Sequence, residues 1–186
     1  MIYTNVLSAV VSALAAECID NTSKQAWQRL YQAGEGRPVG PAVSEDDRLL
    51  ADCWVHARLH AQLLPRHWSV LAARYSTHAQ KKARAITELV PLIASHAGAR
   101  FVERAVATWA IPKLKGEEGK RSTKDLVILP ASWYDMNLWD EDANTDRTRQ
   151  RWRKAIYDTL NEMVREALAA AEQILKEEGL LLDHAA

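Results

Sequence analysis

Cysteine is almost missing from this chain: Cys18 and Cys53 are the only two. Neither sits in a paired metal or redox spacing, which excludes a disulfide scaffold and argues for a reducing compartment. Glycine is sparse at seven, and no glycine-rich phosphate loop, nucleophile elbow or Cys-His protease signature appears. No enzyme and no cofactor is therefore expected. Long apolar runs are absent, so no segment reads as a membrane span. No basic run precedes the first apolar segment, so no signal peptide is expected, and the expected location is the cytoplasm. Net charge is absent too: 24 basic side chains balance 24 acidic ones. Domain-wide basicity, the usual sign of a nucleic-acid binder, is excluded, and any phosphate contact has to be local.

The balance hides an asymmetry. Residues 1–130 carry 17 basic and 12 acidic side chains, and residues 131–186 carry 7 and 12. Apolar residues make up 48% of the chain, enough to exclude disorder. Alanine and leucine are frequent and β-branched runs are rare, which favours one all-α domain over residues 1–186. Seven tryptophans stand against one phenylalanine, a bias that fits helix anchors or interfaces.

The chain is organised around Leu64–Pro112. Trp68, Leu71, Ala72 and Tyr75 recur at steps of three and four, which predicts a helix over 65–75 with Pro65 in its first turn. Ala83, Ile86, Leu89, Val90 and Ile93 predict a second over 80–95, kinked or restarted near Pro91. Phe101, Val102, Ala105, Val106 and Trp109 predict a third over 99–111, stopped by Pro112. The break Ser95-His96-Ala97-Gly98 makes the last two a helix-turn-helix-like pair, with Gly98 available for a positive φ. Read as a DNA-binding motif, the helix from Ala99 enters the major groove with Arg100, Glu103 and Arg104 at its front. Lys81, Lys82 and Arg84 then reach the backbone from the preceding helix. The plain alternative is a helical hairpin that only packs.

Around this core, Asn5 caps a helix to about Ile19, and residues 25–32 form a short helical piece. Residues 33–43 are a loop. Ser44, with Asp47 three residues on, begins a helix to about Leu63 whose buried side reads as Leu50, Trp54, Ala57, Ala61 and Leu64. Asp46, Asp47 and Asp52 are explained by capping and solvation. Residues 113–130 read as an exposed basic loop or wing carrying Lys113, Lys115 and Arg121, and Leu126–Leu129 as a short strand or buried extended segment. A short helix begins at Ser132, and an acidic loop follows at Trp139. A long helix is predicted over 146–178, capped by Asp146 and closed by Gly179. Its first turns hold Arg147, Arg149, Arg151, Arg153 and Lys154, against the helix dipole. Phosphate is one explanation for that placement, with Arg149 and Arg151 as contacts; pairing with nearby acids is the other.

Two weaker patterns remain. Cys53, His56 and His60 share a helix face and are a candidate zinc set, although the spacing misses the usual finger and protease patterns. Basic and aromatic residues interleave at Arg66, His67, Trp68, Arg74 and Tyr75, and again at Arg151, Trp152 and Arg153, a mixture that suits stacking with charge. The duller explanation makes Trp68 and Trp152 core anchors.

The segment LPRHWSVLAARY at 64–75 resembles the opening of region-4-like helix-turn-helix domains. With the turn-bearing pair and WYDMNLWD ahead of RTRQRWRK, the layout over residues 45–160 resembles bacteriophage Q-type antitermination proteins. That resemblance implies a regulator that binds double-stranded phage DNA near a late promoter and loads onto RNA polymerase. Arg100 and Arg104 match its recognition positions, and Lys113, Lys115, Lys120 and Arg121 its basic linker. The chain departs from the family's zinc-bearing variants in having no cysteine cluster, and its recognition helix carries Glu103 with few long polar groups. The contrasting expectation is a protein-interaction module, an adaptor or inhibitor that binds a protein partner through its tryptophans and long helix without DNA.

Overall fold

The computed structural model describes residues 3–16, 45–113, 128–142 and 144–181. The fold is all-α. Among the described residues there is no strand, only one parallel bridge between Tyr3 and Leu181. The predicted piece at 25–32, the loop at 33–43 and most of the basic wing, with Lys115, Lys120 and Arg121, lie outside the described residues.

Helix α1 spans Val6–Ala16. Asn5 caps it, its Oδ1 accepting from the Ser8 amide at 2.8 Å, and Ala9, Val10, Ala13 and Leu14 form its buried stripe. Helix α2 spans Glu45–Gln62. Its buried side is Ala51, Asp52, Val55, Leu59 and then Leu63, not the side the sequence marked: Ala61 and Leu64 are exposed, and Leu50, Trp54 and Ala57 are half-buried. Both stripes keep the three-four rhythm. Asp52 disguised the true one, because it is buried yet polar. Its Oδ1 accepts from the Tyr3 hydroxyl at 2.5 Å and its Oδ2 from the Ser12 hydroxyl at 2.8 Å. Asp52 therefore ties α1 to α2 and does not face solvent.

Helix α3 spans Pro65–Tyr75, with Pro65 in the first turn. Its run from Ser69 to Ala73 is wholly buried, so it lies at the centre of the bundle. Helix α4 spans Ala79–Leu89 and stops where Pro91 would crowd the preceding turn. A 3-10 turn, Val90–Leu92, takes over. Helix α5 spans Ala99–Ala110. Two 3-10 turns, Ala131–Tyr134 and Met136–Leu138, stand where a short helix was expected. Trp139 follows them and is buried.

Helix α6, Asp146–Glu177, has 32 residues and is about 48 Å long. Thr145, not Asp146, is its cap: the Thr145 hydroxyl accepts from the Thr148 amide, leaving Asp146 to pair with Arg149. At the other end Gly179 has φ 67°, and the amide of Leu180 reaches the carbonyl of Leu175 at 3.0 Å. That left-handed closure is why glycine is needed there. Ile156, Leu160, Val164, Ala167, Ala171 and Leu175 form the buried stripe of α6. The helix crosses the whole bundle. It runs parallel to α5, as Phe101 meets Trp152 and Trp109 meets Asn161. It runs antiparallel to α3, as Arg66 meets Glu166 while Arg74 lies near Arg153. Among the described residues no helix is long and apolar enough to cross a membrane.

Candidate nucleic-acid interface

Helix α5 was expected to read DNA with its front. In the fold it is mostly a core helix. Phe101, Val102 and everything from Ala105 to Ala110 are buried. The Phe101 ring meets Trp139 and Trp152 edge-on at 5.2 and 5.6 Å. Trp109 Nε1 donates to Asn161 Oδ1 at 2.9 Å, and the Thr108 and Tyr157 hydroxyls lie 3.1 Å apart. Only Ala99, Arg100 and Glu103 are exposed, with Arg104 half-buried. Arg100 pairs with Glu141 at 3.0 Å, both exposed, a contact of about 0–1 kcal/mol that an anion can displace. Arg104 is more firmly held, its guanidinium 3.5 Å from the centroid of Trp133. The turn before α5 also differs from expectation. Gly98 is the extended N-cap, φ −58° and ψ 155°, and a Cβ there would meet nothing within 4 Å. The hairpin does not need a glycine hinge.

The α4 cations are spent within the fold to different degrees. Lys82 is buried, and its ammonium donates to the carbonyls of Arg74 and Ser76 at 3.2 and 3.1 Å. It braces the α3–α4 connection and is not placed for phosphate. Arg84 pairs with Glu88 at 2.8 Å. The Glu88 carboxyl is held below its usual range by the Ser69 hydroxyl and by Arg84. Lys81 is exposed.

Burial, and then the charge of Arg74, lower the Lys82 ammonium from 10.5 to about 8. The unfolded chain keeps that proton to a pH of about 10.4. Between the two values the unfolded state binds more protons, so stability rises with pH. The buried Cys53 thiol contributes with the opposite sign above its ordinary value, so the Lys82 contribution is read as a difference: the urea midpoint of the parent protein is expected to gain on that of Lys82→Met from about pH 7.5 to about pH 9.5. A constant difference between the two over that range would contradict the placement.

The first half of α6 is different. Arg149 is turned inward, its side chain 12% exposed and paired with Asp146. Arg151 is exposed, and so are Arg147 and Lys154. The spacing 147, 151, 154 puts all three on one stripe, opposite the buried Ile156 and Leu160. None of the three makes an ion pair with the described residues, whereas the cations nearer the other end, Arg165 and Lys176, pair with Glu162 and Glu172. Arg147, in the first turn, opposes the helix dipole by about 0.3–1 kcal/mol, and Arg151 and Lys154, farther along, by less. Comparison with family models, curated proteins and solved structures gives no match. The stripe therefore has to be interpreted on its own chemistry.

The sequence singled out Arg149 and Arg151 in this region; burial separates them, and Arg147 and Lys154 belong with Arg151 instead. The signal was the four-three spacing within RTRQRWRK, hidden because cations crowd every side of that run. The candidate zinc set does not assemble. His56 and His60 stack on each other and set their edges against Trp68 at 5.0 Å. Cys53 is buried, which raises its thiol above the ordinary value. Among the described residues no group of three or more His, Cys, Asp or Glu side chains is placed to hold a metal.

Proposed function

We propose that the protein is a DNA-binding transcription regulator that holds double-stranded DNA through the first half of α6. The observation that carries this reading is the exposed stripe Arg147, Arg151 and Lys154, which pairs with no acid among the described residues and starts in the first turn, where the helix dipole disfavours it. A phosphate backbone offsets that cost, and exposed guanidinium groups suit it. In this reading the exposed front of α5, with Arg100, is an auxiliary contact, since breaking its surface ion pair costs little. The resemblance to Q-type antitermination proteins extends the proposal to RNA polymerase as a second partner. The adaptor alternative has less to draw on: all six tryptophans among the described residues are buried or half-buried, so they serve as core anchors.

Three phosphate contacts predict a modest, salt-steep affinity, with log K falling against log salt at a slope of about −3. Anisotropy of a labelled duplex at rising salt measures it. In Arg147→Ala/Arg151→Ala/Lys154→Ala the slope is expected to collapse and binding to weaken by about 10-fold or more at low salt. Arg100→Ala is expected to change binding far less. If Arg100→Ala/Arg104→Ala removes binding and the triple variant retains it, the contact surface is α5. If the parent protein gives no saturable binding at low salt, DNA binding is lost as a reading.

A further inference from the structure

A cleft of about 360 Å³ opens where the C-terminal ends of α3 and α5 meet the middle of α6. Three cations line it, Arg74 from α3, Lys113 from just beyond α5 and Arg153 from α6, and among the described residues no carboxylate does. Aromatic rings supply much of the remaining wall: Trp109, Tyr134 and Tyr157. We propose that this cleft is a binding site for a nucleoside monophosphate, with the phosphate on the cations and the base against the rings.

The two guanidinium groups are fixed before any ligand arrives. The Arg74 guanidinium donates to the Trp109 carbonyl and lies 5.1 Å from the Trp109 ring centroid. Arg153 sits 5.3 Å from the Tyr157 ring, with Nη1 3.5 Å from Met136 Sδ. Each guanidinium has five N–H donors, so several remain for an anion. Lys113 is exposed and makes no ion pair with the described residues. Converging positive groups with no counter-charge among the described residues repel one another, and an anion between them relieves that repulsion. The field of Arg74 reaches outward from the cleft as well, since it contributes to depressing the neighbouring Lys82 ammonium.

The walls are also set. The Tyr134 hydroxyl donates to the Ile111 carbonyl at 2.9 Å, and the Tyr157 hydroxyl is tied to Thr108. Asn161 gives its oxygen to Trp109 Nε1, which leaves its amide hydrogens as donors for a base edge. The volume is near the lower end of the range for small-ligand sites, about 300–1,000 Å³, so it suits one nucleotide and not a dinucleotide. Rings and charges in this combination serve bases and phosphates together. The same chemistry is offered by a free nucleotide and by one nucleotide of a single strand. The size of the cleft favours the free molecule.

Calorimetric titration of the full chain with the four ribonucleoside monophosphates tests this, with inorganic phosphate, the unphosphorylated nucleosides and a thymidine trinucleotide as further arms. At least one monophosphate is expected to bind saturably, with phosphate alone and nucleoside alone each about 10-fold weaker or worse. Lys113→Ala and Arg153→Gln are each expected to weaken it about 10-fold with the melting temperature unchanged. Lys113 is exposed, so its variant guards against loss of fold. The variant without Arg147, Arg151 and Lys154 should bind the monophosphate as the parent does, which separates this site from the DNA-contacting stripe. No saturable monophosphate binding overturns the proposal. Binding of the trinucleotide alone does so too, and assigns the cleft to a single strand. Equal binding of inorganic phosphate and nucleotide removes the role of the rings and overturns it as well.

Discussion

Trp139→Ala is expected to destabilise the protein by about 3–5 kcal/mol, the loss typical of a large aromatic removed from a core. Trp139 is 2% exposed although it lies between a 3-10 turn and the acidic stretch before α6. Its ring stands edge-on to Phe101, which in turn stands edge-on to Trp152. One aromatic row therefore joins the start of α5 to the start of α6. Its Nε1 donates to the Trp133 carbonyl at 2.8 Å, which folds the two 3-10 turns back onto the core. Alanine removes the ring and the bond together, and a rigid bundle cannot close over the space. Trp139→Phe keeps most of the volume and forfeits the hydrogen bond, so it should cost about 1–2 kcal/mol. Urea unfolding followed by circular dichroism measures both. A cost below about 1 kcal/mol for the alanine variant would mean that this row does not hold the helix ends together.

Little in the sequence marked Trp139 as core. It is followed by Asp140, Glu141 and Asp142, and charge of that density reads as a solvated loop. Yet Asp140 is occupied in shaping the turn, accepting from the amides of Asp142 and Asn144 at 3.2 and 2.7 Å. The acids thus build the corner that turns the indole inward. Where periodicity was long, the sequence sufficed: α3 begins at Pro65 and ends at Tyr75 as expected, and α6 runs almost its predicted length. It failed on α2 because two stripes were available and a buried carboxylate sat in the right one. Periodicity counts apolar residues, and a satisfied polar group inside a core is invisible to it.

The candidate interface was legible in composition and not in geometry. Arg100, Arg104, Lys82 and Arg149 look alike in a sequence. The fold gives them a surface ion pair, a tryptophan face, two backbone carbonyls and, for the inward-turned Arg149, a pairing with the exposed Asp146. Those fates depend on Glu141, Trp133, the α3 C-terminus and Asp146, and the first two are far off in the chain. The interleaved basic and aromatic segments were a better guide. Arg74 and Arg153 are far apart in sequence, yet antiparallel packing of α3 on α6 brings both to one cleft. Sequence alone offered no means of pairing them, because that register is set by the buried stripes of three helices at once.

Asp52→Ala is expected to cost about 2–4 kcal/mol, from two charge-assisted hydrogen bonds of about 1.5–3 kcal/mol each set against relief of a buried carboxylate. Asp52 is 7% exposed and takes one hydroxyl on each oxygen, Tyr3 at 2.5 Å and Ser12 at 2.8 Å. Removing it strands the Tyr3 hydroxyl, 3% exposed as a residue, among apolar side chains. Burial and this bond together keep the Tyr3 phenol protonated far above its usual range. Tyr3 also forms the parallel bridge to Leu181, just past the α6 C-cap, so the loss reaches three elements. Asp52→Asn retains an oxygen for one hydroxyl, and its amide can donate to the other, so about half the cost should return. A double-mutant cycle of Asp52→Ala with Tyr3→Phe should show a coupling of about 1–3 kcal/mol. Additive costs would mean that the two side chains act independently and that Asp52 holds α1 through Ser12 without help from Tyr3.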